Sequence, residues 1–199
     1  MKKNYMTVLH LVIISTAFLV LATGCEKKEE NKKVTDIDGN IYNTISIGDQ
    51  VWLRENLQVT RYRNGDLIST TNPASLDISG ENDPKYQWAN DGNESYASTY
   101  GRLYTWYATT DSRGVCPTGW HVPSDDEWKT LEMELGMNQS EADATSMRGT
   151  NEGSKLAGNK NLWTDGVLEN DADFGKSGFM ALPGGAKPTD GDFDLVGAY

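Results

Sequence analysis

The sequence "CPTGWHVPSDDEW", residues 116–128, decides the fold of this chain because its second half marks the start of a helix. Ser124 is an N-cap residue, and Glu127 stands three positions later, which is the spacing of a capping box. Trp128 opens an apolar face that recurs at helical spacing, and Gly136 ends it. Three acids fill the first turn, where negative charge stabilises the helix dipole: Asp125, Asp126 and Glu127. This role accounts for the acids, so we do not interpret them as a catalytic pair.

The first half of the same stretch raises a chemical question, because it places Cys116 five residues before His121. A cysteine and a histidine act as nucleophile and base only when they meet in space and a third group orients the base. Alternatively, Cys116 is a structural residue, since cysteines of exported domains usually form disulfides. The spacing alone does not choose between these two interpretations.

The first 24 residues have the composition of a secretory signal peptide. Lys2 and Lys3 precede an apolar run over residues 8–22, which is shorter than the ~20 residues that a membrane-spanning helix needs. The letters that close it, "LATGC", resemble the lipobox of bacterial lipoproteins, in which the cysteine becomes the lipidated first residue. We therefore predict a lipoprotein signal peptide over residues 1–24 and a lipid anchor on Cys25. The alternative is an ordinary secreted protein with an unmodified cysteine.

A charged segment follows the predicted anchor. Residues 26–33 contain no apolar side chain, so residues 25–34 are predicted to form a flexible tether. The letters "KEE" are similar to the signals that send some Bacteroidota lipoproteins to the outer face of the outer membrane. We therefore expect an outer-membrane protein that is anchored by its lipid and faces the cell exterior. The formal net charge of −11 disfavours nucleic acid as a partner.

Residues 35–57 predict a β-hairpin. β-Branched and aromatic residues dominate on both sides of Gly48-Asp49, which is a turn pair. A tight turn, "DIDGN", precedes the hairpin and places two aspartates and an asparagine at alternate positions, as a calcium loop would. An EF-hand loop also needs an acidic residue six positions after its glycine, where this chain has Ile45. We therefore predict no EF-hand and no metal site here, although the sequence leaves open whether calcium binds another acidic loop.

The rest of the chain alternates short helical patterns with long loops. Residues 61–97 are rich in Asn, Asp, Ser, Gly and Pro and predict a long surface loop, a kind of segment that often carries function. Apolar spacing predicts short helices over residues 103–108 and 140–148. The letters "GFMALPGG", from residue 178, predict a strand that runs into a turn.

Two groups of loop residues have the side chains that carbohydrate sites use: aromatic faces for sugar C–H surfaces, and amide or acidic groups for hydroxyls. The first group consists of Trp88, Asn90, Asp91 and Asn93. The second group consists of Asn161, Trp163 and Asp165. The alternative interpretation is that both tryptophans attach their loops to the core.

Four stretches taken together resemble one known family. They read "DIDGNIYNTISIGDQVWLRENL", "YGRLYTWYAT", "CPTGWHVPSDDEW" and "GFMALPGG", and they follow the order typical of the Fibrobacter succinogenes major paralogous domain. The resemblance covers residues 35–199. It implies an α+β domain similar to the C-type lectin-like fold, with two helices, small twisted antiparallel sheets and long loops. Members of this family occur in lipoproteins and secreted proteins of Bacteroidota, and no activity is well established for them.

The same resemblance implies further sequence after Tyr199. Family members continue past a segment like "LVGAY" into a tryptophan-rich strand, and then into a strand that carries a cysteine. We therefore expect the domain of residues 35–199 to lack its final strands. We also expect Cys116 to be half of a disulfide whose other half is missing.

These observations predict a lipid-anchored, non-enzymatic surface protein whose domain binds an extracellular ligand, either carbohydrate or a surface protein. The alternative is a structural or assembly subunit of a surface complex. An oxidase of the formylglycine-generating type is less well supported, because those enzymes need a pair of reactive cysteines that bind copper. Lipidation of Cys25 would leave only Cys116 in the domain. We predict no cofactor, and the sequence does not determine the oligomeric state.

Overall fold

The computed structural model of the chain describes residues 32–145, 147–194 and 196–197. The predicted signal peptide, the predicted anchor on Cys25 and most of the predicted tether lie outside these ranges. Within the ranges, none of the helices combines the length and the apolar character that a membrane crossing requires.

An antiparallel sheet of three strands, in the order β1–β2–β3, forms the N-terminal part of the domain. Its strands are β1, Lys33–Thr35; β2, Ile41–Ile47; and β3, Gln50–Leu53. β2 and β3 form the predicted hairpin, with Ile47 opposite Gln50 at the turn. The sequence did not predict β1, whose first two residues, Lys33 and Val34, lie in the segment predicted as a tether.

The hairpin turn requires a glycine for two reasons. Gly48 has a φ of +56°, in the left-handed region that side chains rarely adopt. A Cβ atom added to Gly48 would also lie 2.7 Å from the side chain of Glu134, at the far end of a helix. The turn therefore connects the two strands and packs closely against the helical layer.

The Asp36 carboxylate organises the tight turn before the hairpin. Its Oδ1 atom accepts hydrogen bonds from the backbone N–H groups of Asp38 and Asn40, at 3.0 and 2.9 Å. Its Oδ2 atom accepts from the Asn40 side chain at 2.8 Å and from the Tyr42 hydroxyl at 2.7 Å. Tyr42 is fully buried, and this burial together with the carboxylate raises the pKa of its hydroxyl. Four donors engage Asp36, as expected for a structural turn.

A second sheet has two antiparallel strands, β4, Gln87–Trp88, and β5, Leu103–Tyr104. Four short helical segments accompany it: 3₁₀ turns at Asn90–Gly92 and Glu94–Tyr96, and helices α1, Ala97–Tyr100, and α2, Trp106–Thr109. The prediction of a helix over residues 103–108 is therefore wrong for its first two residues, which form β5. The backbone N–H of Thr105 donates to the Tyr86 carbonyl at 3.0 Å, and its hydroxyl caps α2. Residues before Thr105 consequently stay in the sheet.

The helix predicted from residues 124–136 is present as α3, Asp125–Glu134, which is the longest of the described helices. Its capping box forms in both directions. The Ser124 hydroxyl accepts from the Glu127 N–H at 3.3 Å, and the Glu127 carboxylate accepts from the Ser124 N–H at 2.8 Å. The local sequence therefore predicts this helix correctly, together with the atoms that begin it.

The C-terminal part consists of short helices and loops. These helices are α4, Gln139–Ala142; α5, Glu152–Leu156; and a 3₁₀ turn, Lys160–Leu162. Of the helix predicted over 140–148, the described residues form only the first turn. The predicted strand from residue 178 is reduced to a single bridge between Ala157 and Ala181. Met180 has a φ of +68°, which interrupts an extended backbone, and Pro183 has no N–H to donate to a ladder.

Two apolar clusters form the core of the described residues. The first lies under the long loop and contains Val59, Tyr62, Ile68, Ala108 and Val115. The second joins the hairpin to α3 and contains Ile47, Trp52 and Leu131. Short helices and small antiparallel sheets around these clusters give the α+β architecture that the sequence predicts.

Candidate ligand-binding groove

An open groove with a volume of about 690 Å³ runs along β3. Nine consecutive residues, 49–57, line one side, so the groove follows the backbone of the strand and of the segment after it. The other side is formed by the loop over residues 115–123 and by the start of α3. This loop contains Pro117 and Pro123, which disfavour helix within it.

Three of the aromatic side chains that line the groove also contact one another. The ring centroids of Trp52 and Trp128 are 5.0 Å apart, and Phe179 lies 5.6 Å from Trp52 and 6.1 Å from Trp128. Strand alternation directs Trp52 toward α3, while the cap at Ser124 places Trp128 in the first turns of that helix. The hairpin, α3 and the C-terminal loops therefore each contribute one ring to an apolar surface.

Two buried polar atoms of the groove-lining residues have no hydrogen-bond partner among the described residues. They are Nε1 of Trp52 and Oε1 of Gln50. The Gln50 side chain is anchored at its other end, where Nε2 donates to the Glu127 carbonyl at 3.1 Å. Buried polar groups are rarely left unpaired. An unmatched donor and an unmatched acceptor therefore both belong to residues of β3, the strand that lines the groove.

Most charged side chains of the groove are engaged by the protein itself. Arg54 donates from Nε to the Gly178 carbonyl at 2.9 Å, and Glu55 accepts from the Asn43 backbone N–H at 2.7 Å. Asp49, at the exposed hairpin turn, has no hydrogen bond and no ion pair within the described structure. The one end of the groove that carries an unengaged charge is therefore negative.

Glu127 and His121 are in hydrogen-bonding contact at the rim, with His121 Nε2 2.7 Å from Glu127 Oε1. Glu127 also accepts from the Ser124 backbone N–H and from the Ser124 hydroxyl. These donors, the backbone N–H first and then the histidine, hold the pKa of Glu127 at about 2. The carboxylate that caps α3 is thus ionised at neutral pH and occupied by its own neighbours.

Acid is expected to weaken the fold through this carboxylate. The folded-state pKa of Glu127 lies below its ordinary value of 4.5, so its contribution is present above pH 4.5 and is lost as the pH falls toward about 2. In the Glu127→Gln variant, the urea midpoint should therefore fall less between these two pH values than it does in the original chain. Glu134→Gln is the matched control on the same helix, since the Glu134 carboxylate accepts no hydrogen bond in the described structure. Equal pH dependence in all three proteins would contradict this role.

Cys116 lines the groove and packs against the first core cluster. Burial raises the pKa of its thiol to about 11, although Arg63 opposes this rise. The thiol is consequently protonated at neutral pH, whereas a nucleophilic cysteine works as the thiolate. His121, the proposed base in the enzymatic interpretation, contacts Glu127 instead. The non-enzymatic character of the protein and the disulfide predicted for Cys116 both stay predictions.

The first predicted sugar-binding group divides into buried and exposed residues. Trp88 is 3% exposed, and its Nε1 donates to the Thr71 hydroxyl at 2.9 Å. Asn90 is also buried, and its Nδ2 donates to the Gly184 carbonyl at 3.0 Å. Trp88 and Asn90 therefore attach the loop to the domain. Asp91 and Asn93 are exposed, so a contact between this loop and a ligand would fall to them.

The second predicted group is more open. Asn161 and Asp165 are exposed, and Trp163 is half-buried with its Nε1 donating to the Gly158 carbonyl at 2.9 Å. Neither group contributes a residue to the groove along β3. The sequence analysis therefore missed all three groove tryptophans, Trp52, Trp120 and Trp128, as site residues, although it correctly placed Trp52 in a hairpin and Trp128 in a helix.

Metal ligands do not cluster in the described ranges, where no group of three His, Cys, Asp or Glu side chains is arranged to hold an ion. The candidate site is instead an apolar groove with aromatic walls and a negative end. Arrangements of this kind, in which a few polar groups accompany an apolar concave surface, are typical of ligand-binding sites.

The fold and the groove define a small α+β domain with a concave apolar surface beside a sheet edge. The sequence of residues 45–199 matches the Fibrobacter succinogenes major domain, and the chain belongs to that family. No curated protein and no solved structure matches the chain. The family assignment made from the four sequence stretches is thereby confirmed.

Proposed function

We propose that this chain is a lipid-anchored, non-enzymatic surface protein that binds an extracellular ligand in the groove along β3. The observation that carries the proposal is the groove itself, which combines three aromatic rings with two buried polar atoms that have no partner in the described structure. Binding of an occupant would remove this apolar surface from water, which is energetically favourable.

The anchor and the location are supported by the N-terminal sequence. A basic start, an apolar run and the lipobox-like letters "LATGC" precede the charged segment that separates Cys25 from the domain. Acyl chains contribute about 0.8 kcal/mol per buried CH₂ group, so a lipid on Cys25 would hold the domain at the outer membrane, facing the exterior. The membrane is then a partner of the chain through its lipid.

For the fold, we propose the C-type lectin-like variety of α+β architecture, as the family resemblance implies. Two ligand classes suit a groove with aromatic walls. Carbohydrate would use the ring faces for its C–H surfaces, and polypeptide would use the apolar walls for its side chains. Asp91, Asn93, Asn161 and Asp165 remain as exposed residues that could add contacts to a glycan.

The second candidate function is that of a structural or assembly subunit in a surface complex. The outer edge of β3 favours it, because that edge has no partner strand among the described residues. In such a complex the groove would hold a subunit permanently. The site would be the same, and the two functions would differ in how long the occupant stays.

The proposal predicts that binding depends on the groove wall. The detergent-solubilised full chain is applied to an array that carries glycans in one half and peptides in the other. Val122→Glu places a charge on the wall, where Val122 is 42% exposed, and it should weaken binding about ten-fold or more, since a buried charge without a partner is strongly unfavourable.

Val167→Glu is the matched control, because Val167 is 90% exposed and lies outside the groove. This variant should bind as the original chain does. The proposal is overturned if the original chain binds neither half of the array, or if Val122→Glu and Val167→Glu have the same effect.

A further inference from the structure

We propose that the occupant of the groove is an extended strand of a partner polypeptide, which adds to the free edge of β3. This inference rests on the proposed function, because it names the ligand class for the same groove. Carbohydrate, the other class that suits aromatic walls, becomes an outcome of the test.

The hydrogen-bonding direction of β3 is fixed by its pairing with β2. The Arg54 N–H donates to the Asn43 carbonyl at 3.0 Å, and the register continues through Ile45 opposite Trp52. In an antiparallel pair, alternate residues direct both backbone groups at the partner strand. The N–H and C=O groups of Val51 and Leu53 therefore point away from β2, toward the open side.

Nothing in the described structure pairs with that side of β3. The sheet order ends at β3, and no hydrogen bond is made by the backbone groups of Val51 or Leu53. Free edges usually carry a protective lysine, proline or bulge. This edge carries Val51, which is 54% exposed, and Leu53 instead. An unprotected apolar edge is a template for another strand.

The spacing of these groups selects a polypeptide over a sugar. Val51 and Leu53 are two residues apart, so their outward N–H and C=O groups repeat at about 6.6–6.8 Å along the strand. An extended backbone presents complementary groups at the same interval, with its side chains alternating between the two faces. The groove also follows nine consecutive residues, 49–57, and so has the elongated outline of a strand site.

Charge further defines the partner. Asp49 lies at the turn end of the groove without an ion pair in the described structure, and the chain as a whole carries a formal charge of −11. A strand with apolar residues at alternate positions and a basic residue near Asp49 complements both features. A second copy of this acidic chain would bring like charge to the same edge, which disfavours self-pairing.

The test uses synthetic peptides of nine residues, matched to the nine residues 49–57 of the groove. The peptides alternate valine with threonine and carry one lysine, placed at either end to cover both strand directions. Fluorescence anisotropy measures their binding to the detergent-solubilised full chain. Each peptide is also made with N-methyl groups on one or the other set of alternate amides.

Strand addition predicts a result that depends on the methylated set. Methylating the amides that face β3 should weaken binding about ten-fold or more, whereas methylating the other set should leave it nearly unchanged, because only one set donates to the edge. On the protein, Val51→Pro removes an outward donor and should weaken binding about ten-fold. Val167→Glu, the control outside the groove, should bind these peptides as the original chain does.

Several outcomes would overturn the inference. The inference is rejected if methylation of either set of amides weakens peptide binding to the original chain equally. This comparison does not depend on whether Val51→Pro folds. Binding of glycans but of no peptide, with loss in Val122→Glu, would retain the proposed function and reject the strand. Binding of neither class would reject both. A cross-linked dimer of the chain that Val51→Pro abolishes would identify a second copy as the occupant instead.

Discussion

Leu131→Ala is expected to lower the free energy of unfolding by about 3 kcal/mol, within a range of about 2–5 kcal/mol. Leu131 is fully buried in the cluster that joins the hairpin to α3, where it packs with Ile47 and Trp52. Its removal leaves a cavity between the sheet and the longest described helix. Urea unfolding of the full chain in detergent, followed by tryptophan fluorescence, measures the change.

The matched control for this substitution is Leu67→Ala, because Leu67 is 63% exposed. This variant should stay within about 0.5 kcal/mol of the original chain. If Leu131→Ala shifted the free energy by less than about 1 kcal/mol, the cluster could not be the core that connects the two layers.

The second large effect is expected for Asp36→Ala, which should lower the free energy of unfolding by about 3 kcal/mol. The substitution removes an acceptor from four donors, one of which is the hydroxyl of the fully buried Tyr42. An unpaired buried donor retains the cost of its lost hydration. The same urea titration measures the loss.

A double-mutant cycle with Tyr42→Phe separates the buried contact from the rest of the turn. The Asp36 and Tyr42 substitutions should be coupled by about 1 kcal/mol or more, since they share one hydrogen bond. Asp165→Ala is the control, because Asp165 is exposed and has no hydrogen bond within the described residues. Strict additivity of the two changes would show that this hydrogen bond does not organise the turn.

The elements that could be predicted from the sequence are those specified by neighbouring residues. Ser124 and Glu127 satisfy each other's backbone within four residues, so α3 follows from local letters alone. The Gly48 turn is equally local, because a positive φ favours glycine wherever it occurs. The family resemblance adds the order of these elements along the chain.

The groove could not be predicted in the same way, because it depends on the second edge of β3 having no partner strand among the described residues. The sequence places Trp52 in a strand, but the partner of its second edge is a property of the whole fold. The sequence left the burial of Trp88 open for a related reason. Trp88 stands in a polar loop typical of the surface, yet the loop folds back and its indole donates to Thr71. Contacts between distant residues decide both features.

The aromatic rings at the groove belong to two surfaces at once. Trp52, Trp128 and Phe179 line the groove, and the same three residues contact the cluster around Leu131. A bound strand would therefore continue the interior of the domain, and its binding free energy would add to folding by thermodynamic linkage. The melting temperature of this protein should consequently rise with the concentration of its partner, which turns thermal shift into a way of finding that partner.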